Sequence, residues 1–216
     1  MDGFARMERQ ALADTLIRVG PDAPTLCDGW SAADLAAHLV IREGRPVAAM
    51  GIFVNPLKGL NRRVQNATRD RLPFPELVER VRQGPPAWSP FRIGALDTAG
   101  NTLEYFIHHE DVRRGVGDGP RDLDPDQSDD LWGRLRRGAR MMFRAAPVGV
   151  TLVRVENGSS PRQTVVAKAA TPQMVTVSGP AGELLLFAFG RKDAARVQLT
   201  GDDAAIARLR AAKSGM

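Results

Sequence analysis

The apolar residues of this chain change their spacing at Pro147, and that change limits the folds open to it. Before it they recur three and four apart, the repeat of helices with one buried face. Leu131, Trp132, Leu135, Ala139, Met142 and Phe143 follow that pattern. After it, TLVRVENG, QTVVAKA and QMVTVSG alternate apolar and polar residues, the repeat of strands with one buried face. Helices are expected over about 4–19, from Ser31 towards Met50, and over 75–83, 96–114 and 129–145. Ser31 is a good N-cap, and Asp34 brings negative charge to the first turn. NPLKGLNRRVQNATRD and DGPRDLDPDQ read as polar loops. GELLLFAFG is apolar and unbroken, and its length and opening Gly-Glu favour a helix. ARVQLTG reads as a strand and DDAAIARLRAA as a closing helix. The expected architecture is a helical bundle over 1–147 followed by a small α+β domain over 148–216.

A chain of 216 residues can bury one large core or two modest ones. No run approaches the roughly 18 apolar residues that span a bilayer. The N-terminal MDGFARMERQALADTLIRVG lacks the apolar centre of a signal peptide. A cytoplasmic protein without a membrane partner is expected. One cysteine, Cys27, excludes an intramolecular disulfide and a Cys-based zinc knuckle. It reads as a nucleophile or, more commonly for a lone cysteine, as a small buried filler. The net charge of +5 is carried mainly by arginine. Arg134, Arg136, Arg137, Arg140 and Arg144 spread over a broad helical face, and the chain has one Tyr, so nucleic acid is not the expected partner. The sequence leaves the oligomeric state open.

Two of the three histidines lie in EYFIHHED, residues 104–111, among three carboxylates. On a helix Glu104 and His108, four apart, sit one turn above each other on one face. His38 lies between Leu35 and Leu39 and should point inward with them. Were both helices in one bundle, His38, Glu104 and His108 would meet there. Two imidazoles and a carboxylate make a three-ligand zinc set with a fourth position open, as in catalytic zinc sites. The other reading is a metal-free bundle in which His38 hydrogen-bonds Glu104. His109 is rotated by about a hundred degrees from His108 and should not share the site. Asp111 is placed to accept from the second nitrogen of His108 and fix its tautomer. Glu110 and Asp111 otherwise read as a solvated helix end. Arg42, one turn after His38, is a candidate by position for a substrate carboxylate.

These residues resemble a family. LCDGWSAADLAAHL (Leu26 to Leu39), followed some sixty residues later by EYFIHHED, is similar to the N-terminal domain of mycothiol-dependent maleylpyruvate isomerases, within the DinB-like metal-binding four-helix bundles. Gly29-Trp30, His38, Glu104, His108 and Asp111 match the elements of that signature in order and spacing, over about residues 3–146. The last 70 or so residues resemble the small α+β domain that follows the bundle in many members, distantly similar to sterol-carrier domains. The resemblance implies zinc at His38, Glu104 and His108, and a low-molecular-weight thiol as cofactor. It also implies a reaction in which thiolate adds to a small electrophile, leaving again in isomerisation and staying in S-transfer. Nickel suits the same ligands. The competing reading is a non-catalytic, metal-stabilised module whose C-terminal domain binds an apolar ligand or a protein, with GELLLFAFG lining the cavity.

Overall fold

A computed structural model describes residues 3–44, 67–85, 94–156, 163–169 and 173–212, with the backbone alone over 94–100. Its elements are helix α1 (Gly3–Val19), α2 (Ala32–Gly44), α3 (Phe74–Gln83), α4 (Gly94–Gly115) and α5 (Pro125–Met142), then strands β1 (Gly149–Arg154), β2 (Gln163–Lys168) and β3 (Met174–Gly179), helix α6 (Ala181–Ala188), strand β4 (Gln198–Gly201) and helix α7 (Asp203–Ala211). The expected extension of α2 to Met50 and the loop from Asn55 to Asn66 lie outside the described residues. The end of that loop departs from expectation, since 67–71 is helical. Arg69 there donates to Asp34 Oδ1 at 2.7 Å, which ties the segment to the start of α2.

The chain divides into two compact units, Met1–Gly119 and Pro120–Met216. In the first, α1 packs along α4, and α3 packs on both α1 and α2. Leu12 and Leu16 of α1, Leu35 and Leu39 of α2, Leu77, Val78 and Val81 of α3, and Tyr105 and Val112 of α4 form one buried cluster. Each such aliphatic side chain contributes about 1.5–3 kcal/mol through its burial. The start of α2 is closed by a reciprocal cap. Ser31 N and Oγ donate to Asp34 Oδ2 at 3.0 Å, and Asp34 N donates to Ser31 Oγ at 3.3 Å. Burial would raise the Asp34 pKa, but these bonds and the Arg69 guanidinium hold it below its ordinary value.

The second unit is a four-stranded mixed sheet in the order β2-β1-β3-β4, with helices against it. β1 pairs antiparallel with β2 and parallel with β3, and β3 pairs antiparallel with β4. The period change at Pro147 suggested a boundary there, with α5 in the bundle. By its contacts α5 belongs with the sheet, because its apolar stripe packs on α6 and β2. α6 is the apolar run GELLLFAFG, and Ala181 to Ala188 are all buried. Its leucines are buried side chains of this unit, and its Phe187 ring stacks on Phe143 at 6.5 Å between ring centroids.

Candidate metal centre

The centre is built by α2, α4 and the turn that leads into α2. That turn is fixed by local bonds: Cys27 N donates to Thr25 Oγ1 at 3.1 Å, Thr25 Oγ1 donates to Trp30 O at 2.9 Å, and Trp30 N donates to Cys27 O at 2.9 Å. Gly29 sits at φ +72°, a left-handed conformation that costs a side-chain-bearing residue energy. Trp30 then lies beside the His38 ring, with centroids 5.0 Å apart. Gly115 lets α4 end against this turn, and Leu26 N donates to Asp111 O at 3.0 Å.

Two imidazoles, one from α2 and one from α4, converge on one carboxylate oxygen. Glu104 Oε1 lies 3.5 Å from His38 Nε2 and 3.2 Å from His108 Nε2. The His38 and His108 rings meet edge to face at 5.3 Å. One ligand atom from each of His38, Glu104 and His108 falls within 4.8 Å of the others. A tetrahedral zinc ion with bonds of 2.0–2.2 Å separates its ligand atoms by about 3.3–3.5 Å, so the spacing suits such an ion. Exposure suits it too: His108 keeps 10% of its side-chain surface and Glu104 keeps 24%, so the cluster is only partly exposed.

The protons argue the same way. Asp111 Oδ2 lies 3.0 Å from His108 Nδ1. An ionised carboxylate only accepts, so Nδ1 carries the proton and Nε2 turns its lone pair to Glu104. Lone pair and carboxylate then face each other and require a cation between them. Without a metal that cation is a second proton. Burial would lower the His108 pKa, yet hydrogen bonds with Asp111, Cys27 and Glu104 outweigh it and raise it well above the ordinary value. Burial dominates at His38 and pushes its pKa down, leaving a neutral ring with a lone pair to give. At Glu104 burial would raise the pKa, but bonds from His108 and His38 and the nearby Arg42 charge hold it well below the carboxylate range. Two imidazole donors and one ionised carboxylate are a fitting donor set for zinc or nickel.

The remaining sequence candidates fall as follows. Arg42 Nε lies 3.4 Å from Glu104 Oε1, and its Nη1 donates to Asn101 Oδ1 at 2.5 Å, so it clamps Glu104 from behind. His109 points to α1, where Nδ1 meets Glu8 Oε1 at 2.7 Å and Nε2 meets Thr15 Oγ1 at 2.9 Å. The expected solvated helix end at Glu110 and Asp111 is buried, with both residues at 1% exposure or less. Glu110 there bonds Arg113 at 3.0 Å and Arg114 at 2.7 Å. Asn101 was not singled out by the sequence, and Cys27 was weighed only as a nucleophile or a buried filler. Cys27 Sγ donates to Asp111 Oδ2 at 3.1 Å. The one signal for it was its place in the Gly29-Trp30 turn.

No family model and no curated protein matches the sequence. Solved structures do match. The crystal structure of the mycothiol-dependent maleylpyruvate isomerase superposes with a TM-score of 0.57 at 17% identity, covering 91% of this chain and 90% of that one. A point mutant of the isomerase superposes at 0.54 with the same identity and coverage. This chain has the maleylpyruvate isomerase fold. The likeness to the isomerase extends beyond residues 3–146, where the sequence motifs lie, into the α+β unit.

Proposed function

We propose that this protein is a divalent-metal enzyme that uses a low-molecular-weight thiol on a small electrophilic substrate, as an isomerase or an S-transferase. His38, Glu104 and His108 hold the ion, zinc or nickel. The observation that carries the reading is the convergence of two imidazole nitrogens and one carboxylate on a partly open point. Mycothiol is the favoured thiol, because the solved structures sharing this fold are of a mycothiol-dependent enzyme. The bound ion supplies Lewis acidity that lowers the pKa of a coordinated thiol, so that thiolate is available at neutral pH.

The chain's own residues do the rest. Asp111 keeps the proton on His108 Nδ1 and so directs Nε2 towards Glu104. Arg42 holds Glu104 and adds a positive charge beside the centre, which favours an anionic substrate. The Trp30 ring packs beside His38, tilted against it with centroids 5.0 Å apart.

Elemental analysis of untagged protein expressed with zinc should find about one divalent ion per chain, and His38→Ala should lose it. Equal and negligible metal in both proteins would remove the metal reading. After cobalt substitution, mycothiol should shift the visible absorption bands of the metal. No shift at saturating thiol would leave a metal-stabilised binding module in place of a thiol enzyme.

A further inference from the structure

Cys27 has a bonding position that a space-filling role does not explain. Asp111 Oδ2 is the acceptor for two donors, His108 Nδ1 at 3.0 Å and Cys27 Sγ at 3.1 Å. Cys27 Sγ is 4.0 Å from His108 Nδ1, so the three atoms form a closed triangle. Asp111 is 0% exposed, and a carboxylate shut off from water depends on the donors the protein gives it. A thiol is a weak donor to a neutral acceptor, but a bond to an ionised carboxylate is charge-assisted. The backbone holds the pair in register, with Leu26 N on Asp111 O at 3.0 Å and the Cys27 carbonyl taken by Trp30 N at 2.9 Å.

We infer that Cys27 is a positioning residue of the proposed metal centre: its thiol orients the Asp111 carboxylate, which in turn holds the His108 tautomer that presents Nε2 to the metal. The inference rests on the reading of His38, Glu104 and His108 as ligands. Its mark is the donor, since alanine removes the sulfur and its proton together, whereas serine restores a smaller donor at nearly the same place.

The test compares wild type, Cys27→Ala and Cys27→Ser by two measurements. One is cobalt affinity by chelator competition. The other is the ¹⁵N shift of the His108 imidazole nitrogens in metal-free protein at a pH high enough for that ring to be neutral, which reports which nitrogen keeps the proton. Removing a direct partner of a metal-bound histidine typically costs 10–100-fold in affinity. One bond further out, Cys27→Ala should lose about 3–10-fold and move the Nδ1 resonance, and Cys27→Ser should recover most of both. Wild-type affinity and unchanged ¹⁵N shifts in Cys27→Ala would overturn the inference, as would a serine variant no better than alanine. Should Cys27→Ala not fold, Cys27→Val, which fills a similar volume without donating, takes its place, with the same outcomes. If wild type binds no cobalt, the metal reading itself fails, and the ¹⁵N shifts still decide whether Cys27 sets the His108 tautomer.

Discussion

Asp111 is the residue on which the centre turns, although it is not proposed to touch the ion. It is fully buried and carries the proton-bearing side of His108. Removing it frees the imidazole to rotate or to change tautomer while leaving His38 and Glu104 in place. Asp111→Ala should therefore weaken metal binding about 10–100-fold, measured by chelator competition, with the helical circular dichroism retained. Asp111→Asn, which keeps an oxygen acceptor and loses the charge, should lie between alanine and wild type. An alanine variant with unaltered affinity would mean that His108 is held by packing alone. At this scale the sequence was readable where chemistry is local. The spacing of Glu104, His108 and Asp111 on one helix follows from 3.6 residues per turn. Cys27 was not, because its partners are 81 and 84 positions away and a single cysteine carries no periodic pattern.

Among the elements, the meeting of α4 with the turn before α2 depends on a missing side chain. A Cβ built on Gly115 would lie 2.3 Å from Pro24 O and 2.5 Å from Thr25 Cα. Both are backbone atoms and cannot swing aside. Gly115→Ala must push the turn away from the helix end, and overpacking of this kind costs about 1–3 kcal/mol. The midpoint of thermal unfolding should fall by several degrees. Gly119→Ala is the control, since nothing lies within 4 Å of its Cβ and its φ is not positive. An unchanged midpoint in Gly115→Ala would mean that the turn has room to shift. Element types were legible in the described residues apart from the helical turn at 67–71, because burial of one face writes the period into the sequence. Their partners were not. The apolar stripe of α5 states that one face is buried, not that α6 and β2 bury it. Alternation likewise marks β1 and β3 as strands without revealing that they run parallel.

For the whole molecule, the division at 119/120 makes a physical claim about the second unit. A partly buried carboxylate just past β1 links three elements. Glu156 Oε1 accepts from Ser128 Oγ of α5 at 2.6 Å, from Arg154 Nε of β1 at 2.7 Å and from Ala181 N, at the start of α6, at 3.3 Å. Arg154 also reaches Asp129 of α5 at 2.6 Å. Helix, sheet and helix are thus joined by groups that all lie within residues 120–216. That fragment should fold alone and unfold in a single transition. Partial burial would raise the Glu156 pKa, but the bonds from Ser128, Arg154 and Ala181 prevail and lower it below 4.5, its ordinary value. For a lowered carboxylate, the unfolded chain binds the proton first as the pH falls. The stabilisation is therefore fully present above about 4.5 and is lost as the pH drops through the depressed folded value. Urea unfolding of the fragment at a series of pH values should give a midpoint that declines across that acid window. In Glu156→Gln the midpoint should start lower at neutral pH and decline less. Parallel acid limbs in the two proteins would show that Glu156 is solvated rather than bonded, and a fragment without a cooperative transition would show that the unit needs residues 1–119 to fold.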